Sequence, residues 1–168
     1  MSLNAAIYEQ LGTDEGTLVA KFHQDIEGIF TTMVGIEDLS AAPVLADPTT
    51  HFSHSVTAMV GFAGLFNGLL SLHVPQTLAL RFTSGMLGME VTELDDDVND
   101  ALGEIANMVA GSFKHHLSRE GHEVRLSTPS VVTGGEYEIA SGSLADTLAL
   151  RYHCGGEPFM ISLVVEME

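Results

Sequence analysis

Positive charge is scarce in this chain. Lys21, Arg81, Lys114, Arg119, Arg125 and Arg151 are the only lysines and arginines, against 23 acidic residues and a formal net charge of −17. Such a surface repels phosphate backbones and anionic lipid headgroups, so nucleic-acid and membrane binding are disfavoured. Cysteine is almost missing as well. The single Cys154 permits no internal disulfide, which suits a reducing cytoplasm, and no Cys/His/Glu array accompanies it that would build a metal centre. There is no long hydrophobic run: the most apolar stretch, Met59 to Leu72, is too short and too glycine-rich to span a bilayer. The opening MSLNAAIYEQLG has no basic segment followed by an apolar one, so no secretory leader is expected.

What the chain does contain is enough apolar material to fold. Its 168 residues are 45% hydrophobic and 17% charged, as for one globular domain with a sizeable core. Residues 1–16 are polar and lack clear periodicity, and are read as an arm or a short extra helix preceding a domain over 17–168. Apolar residues then recur at helical spacing from Leu18 to Met33. Gly35 to Thr50, with Pro43 and Pro48, is expected to be a loop. Two strands follow, Val56 to Phe62 and Leu70 to Val74, joined by a hairpin connection at Gly64 to Gly68. A helix from Pro75 to Met86 comes next. Near the C-terminus Val124 to Val132 reads as a strand broken near Pro129. Leu148 to Cys154 and Phe159 to Met167 alternate as a hairpin across Gly155-Gly156-Glu157-Pro158. The class is α+β, long helices packed on an antiparallel sheet.

The best-specified element is a helix from about Asp96 to Ser118. Asp95, Asp96, Asp97 and Asp100 favour its N-terminal dipole end; Lys114, His115, His116 and Arg119 favour the other, and Gly121 is a candidate residue just past it. At 100° per residue, Val98, Leu102, Ile105, Val109 and Phe113 form one stripe, which must face the core. Asp100, Glu104, Asn107 and Gly111 fall on the opposite side. Glu104 and Asn107 stand at i and i+3, so a carboxylate and a carboxamide project together from a rigid exposed surface. Gly103 and Gly111 each weaken a helix by about 1 kcal/mol relative to alanine, a cost that close packing or docking would explain. His51 and His54, like His115 and His116, lack a third metal ligand at a useful spacing, and the latter pair is accounted for by the helix dipole. Cys154 falls on a strand position that packing accounts for, and the eight methionines read as core filler.

The run from Asp100 through Glu104 and Asn107 to Gly111 resembles the signature of the CheC/CheX/FliY phosphatase family: Asp or Ser, Glu four residues on, Asn three further, and a proline a little over twenty residues later, where Pro129 stands. Gly61 to Leu72 resembles the same family's first hairpin. Only one Glu/Asn pair is present, since the helix from Leu18 to Met33 holds Glu27 but no asparagine, and a single pair is the CheX pattern rather than the CheC one. The resemblance implies a cytoplasmic homodimer that hydrolyses the aspartyl phosphate of a CheY-like chemotaxis response regulator. It implies that Asn107 holds the attacking water and Glu104 engages the receiver's lysine, with Asp100, Gly111 and Lys114 in the docking surface. No cofactor is then needed on this chain, because the receiver brings its own Mg²⁺. The alternative from another class is a non-catalytic interaction module, of the kind this fold serves in flagellar switch proteins; a second option is a stand-alone signalling domain acting on a receiver outside chemotaxis, in another two-component system.

Overall fold

The computed structural model describes residues 3–40, 43–45, 50–118, 123–139 and 146–166. In chain order the elements are α1 (Ala5–Leu11), α2 (Glu15–Ile29) running into one π-helical turn (Phe30–Val34), β1 (Val44–Leu45), β2 (His51–Ala63), β3 (Asn67–Pro75), α3 (Gln76–Leu87), α4 (Asp96–Leu117), β4 (Arg125–Leu126), β5 (Ser130–Glu138), β6 (Asp146–Cys154) and β7 (Glu157–Glu166). The strands form one antiparallel sheet in the order β1-β6-β7-β3-β2. β4 and β5 share the far edge of β2, β4 at Phe62 and Ala63, β5 from His51 to Met59.

The register aligns the apolar alternation of four strands. Val60, Leu70, Leu163 and Leu148 form one row across β2, β3, β7 and β6, and Ala58, Leu72, Ile161 and Leu150 the next. All eight are buried, and α2, α3 and α4 cover that face with Phe22, Ile26, Phe82, Leu102, Ile105 and Phe113. A side chain of this size contributes about 1.5–3 kcal/mol when fully withdrawn from water, so these rows dominate the stability of the fold. Phe22 of α2 stacks on Phe113 of α4 with centroids 3.8 Å apart. α1, the π-helical turn after α2, and α3 are stopped where the backbone turns left-handed at Gly12, Gly35 and Gly88.

The N-terminal segment is not set apart from this core. Asn4 caps α1 by accepting from Ala6 N, and Ile7 is fully buried in the common cluster with Leu3 beside it. Of the two expectations for residues 1–16, an arm or a short extra helix, the structure shows the helix, whose seven residues and one core side chain are too few to declare a period in sequence; α2 already begins at Glu15 with Asp14 as its cap. The expected loop from Gly35 to Thr50 contains the short edge strand β1. β2 begins five residues ahead of the expected strand. The reason is a bend: His54 has φ +46°, and pairing with β3 starts only at Ser55. Left-handed backbone at a non-glycine residue redirects the strand. Phe52 therefore lies over the back of the sheet against Ala149 and Met160. The break at Pro129 separates β4 from β5, and β5 continues through Gly134 and Gly135 to Glu138. Gly121 lies outside the described residues; α4 ends at Leu117, with Ser118 extended.

Candidate active site

α4 is 22 residues long, so it spans about 33 Å at 1.5 Å per residue. Asp95 caps it by accepting from Asp97 N at 3.0 Å; Asp96 and Asp97 occupy its first turn, and Lys114, His115 and His116 its last. Val98, Leu102, Ile105, Val109 and Phe113 are buried, each at 2% exposure or less. The helix is thus anchored along one side over its whole length, and the opposite stripe is held rigidly outward. Asp100 and Glu104 are exposed, Asn107 and Gly111 half-exposed. Among the described residues neither Glu104 nor Asn107 has a hydrogen-bond or ion-pair partner. Lys114, one turn past Gly111, is half-buried and also borders an apolar crevice with Phe62 and Leu126.

The two helix glycines do different work. A Cβ on Gly111 would meet nothing within 4 Å, so open space stands over it. A Cβ on Gly103 would come within 3.3 Å of Pro129 Cβ and 3.7 Å of Val131 Cγ2. Pro129 therefore sits directly on α4, seated by the connection before it: Ser127 N donates to Gly61 O at 2.8 Å, and Gly61 N donates to Ser127 Oγ at 2.9 Å. Between this connection and the helix runs an open groove lined by Asn99, Asp100, Gly103, Glu104, Pro129 and Val131. Thr133 Oγ1 donates to Asn99 Oδ1 at 3.3 Å, tying β5 to the first turns of α4. Asn99, Val131 and Thr133 were not singled out from the sequence. Their roles come from β5 lying beside α4, which no local pattern encodes; the helix-interior Gly103 was the one local sign of a close neighbour.

His51, His116 and Cys154 among the remaining candidates have other partners. His51 faces Glu136 and Glu138, and His116 Nε2 lies 2.6 Å from Asp25 Oδ2, fastening α4 to α2. Among the described residues no three histidine, cysteine or acidic side chains converge as a metal site would require. Cys154 is buried and accepts from Arg81 Nη1 at 3.0 Å, while Arg81 also pairs with Asp38. Burial pushes the Cys154 thiol up to about 11, so it keeps its proton and is no nucleophile.

Comparison with known proteins gives the same region a family. Residues 56–153 match the family model described as chemotaxis phosphatase CheX. The chain is 32% identical over 112 residues to the CheY-P phosphatase CheX of Thermotoga maritima, covering 65% of this chain and 70% of that protein. Among solved structures, a CheC-like superfamily protein from Shewanella sp. PV-4 superposes with a TM-score of 0.74 at 28% identity, over 89% of this chain and 97% of that one. The CheX chain matched from a CheX–CheY–BeF₃–Mg²⁺ complex of Borrelia burgdorferi shares the fold, with a TM-score of 0.70 at 18% identity over 89% and 97% of the two chains. The chain belongs to the CheX family of chemotaxis phosphatases.

Proposed function

We propose that this member of the CheX family removes phosphate from the aspartyl phosphate of a CheY-like receiver, with Asn107 positioning the attacking water and Glu104 engaging the receiver's active-site lysine. The observation that carries this reading is the pair itself: a carboxylate and a carboxamide three residues apart on the wet stripe of a rigid helix, beside an open groove, and without partners among the described residues. The Thermotoga relative is named for this activity, and the Borrelia complex joins a CheX to a CheY with Mg²⁺ and BeF₃.

An aspartyl phosphate is an acyl phosphate, and a receiver carries its own Mg²⁺ and lysine beside it. Most of the charge stabilisation therefore belongs to the substrate. What this chain adds is position. A carboxamide both accepts and donates, so Asn107 can hold a water through its oxygen or nitrogen in line with phosphorus. The water oxygen bonds to phosphorus, the bond to the aspartyl oxygen breaks, and inorganic phosphate and a free carboxylate result. Glu104 meets the receiver's ammonium, while Asp100, Gly111 and Lys114 surround the contact. No metal is required from this chain; Mg²⁺ enters with the receiver. The protein acts in the cytoplasm as a homodimer, and no described helix is long and apolar enough to cross a membrane. Light scattering on the purified chain tests the dimer.

The test of the activity is decay of aspartyl phosphate on each receiver of the same genome, with wild type and Asn107→Ala. Wild type is expected to accelerate decay of at least one receiver and Asn107→Ala to lose that acceleration. Binding of a phosphorylated receiver with no acceleration by wild type would instead identify a non-catalytic interaction module.

A further inference from the structure

The back of the sheet carries a cavity that the α4 site does not use. It measures about 220 Å³, room for about seven waters or a ligand of roughly ten non-hydrogen atoms. Phe52, Pro75 and Met160 give it apolar walls, and Arg151 and His73 also line it. His73 is only 6% exposed, and the ring of Phe52 stacks on it at 4.2 Å. Its Nδ1 is 2.8 Å from Thr57 Oγ1, which is in turn 2.8 Å from Tyr137 OH. If the tyrosine donates to the threonine, the threonine's single proton goes to Nδ1, and Nε2 carries the imidazole hydrogen. That Nε2 has no partner among the described residues. No side-chain nitrogen or oxygen there is sealed from solvent without a partner, so Nε2 keeps some exposure, and His73 lines this pocket. Arg151, one of six cations in a chain of charge −17, makes no ion pair with a described residue. A nearly buried imidazole whose Nε2 has no described partner and an unpaired guanidinium thus meet on one small, largely apolar pocket; with Nε2 carrying the ring hydrogen, that lining favours an anionic head on a compact apolar body.

We propose that this cavity is a binding site for a small monocarboxylate, its carboxylate held by Arg151 and the Nε2–H of His73 and its body seated between Phe52 and Met160. Ser55, also on the wall, spends its hydroxyl hydrogen on Ser53 O and does not compete as a donor. The site is independent of the phosphatase reading.

The experiment is an NMR titration of the full chain with benzoate, following the His73 ring and the Arg151 side chain, with benzyl alcohol as the uncharged match. Benzoate is expected to give saturable shifts at both residues with a millimolar Kd, and Arg151→Gln and benzyl alcohol each to weaken binding by about tenfold or more. Arg151 is exposed, so its replacement leaves the fold in place. The proposal falls if benzoate causes no saturable shift up to about 20 mM. It also falls if benzyl alcohol or Arg151→Gln matches wild type with benzoate, or if the His73 signals follow protein concentration instead, which would place a second copy of the chain in the cavity.

Discussion

Replacing Asn107 by alanine should move stability and activity in opposite directions. The side chain is half-exposed, and among the described residues it makes no hydrogen bond whose loss would strand a partner. In a helix interior alanine is favoured over asparagine by up to about 0.7 kcal/mol. Truncating a half-exposed side chain returns part of that gain as lost contact, leaving a change between zero and about 0.7 kcal/mol in favour of the variant. For a domain of this size that is a rise in Tm of up to roughly 2 °C. If the carboxamide positions water, dephosphorylation by the same variant should fall by about 10² or more, the usual cost of losing one positioning group. Urea denaturation gives the first quantity, and phosphate release from a labelled receiver gives the second. A variant destabilised by more than about 1 kcal/mol would show that Asn107 is held by internal contacts and does not project freely. A variant with full phosphatase activity would refute its catalytic role whatever its stability.

Glu104→Ala should leave the urea midpoint nearly unchanged, because the exposed carboxylate has no described partner, yet weaken binding of a beryllofluoride-activated receiver by about tenfold or more in calorimetry. Gly103→Val should drive its branches into Pro129, 3.3 Å from the first added carbon, costing about 1–3 kcal/mol in urea denaturation and shifting the NMR signals of Ser127 to Val131. Phe113→Ala removes a buried ring stacked on Phe22 and should cost about 3–5 kcal/mol by the same denaturation measurement. His73 supplies a pH signature. Burial holds its pKa down to about 4, from 6.5 when exposed, so the unfolded chain takes up a proton first as pH falls. Its contribution is complete above pH 6.5 and is lost progressively down to about 4, on the order of 3 kcal/mol in all. Urea midpoints recorded across that window should show a one-proton slope that His73→Gln removes.

The amino-acid order by itself determined the parts whose information is local. The 3.6-residue stripe of Val98, Leu102, Ile105, Val109 and Phe113 dictates which side of α4 is buried, and hence that Glu104 and Asn107 face outward. The two-residue alternation of Leu148 to Cys154 and Phe159 to Val165, about a Gly-Gly turn, dictates the last hairpin. Burial on one face imposes these periods, so they are written in the spacing of residues. Tertiary structure alone decided what depends on distant segments meeting. β5 beside α4 turns Gly103, Pro129 and Val131 into one wall of a groove. The left-handed bend at His54 carries Phe52 over the back of the sheet and stacks it on His73 beside an open pocket. A short N-terminal helix joins the core through Ile7. Each of these contacts joins residues far apart along the chain, whose proximity follows from strand order and backbone bend rather than from any local repeat.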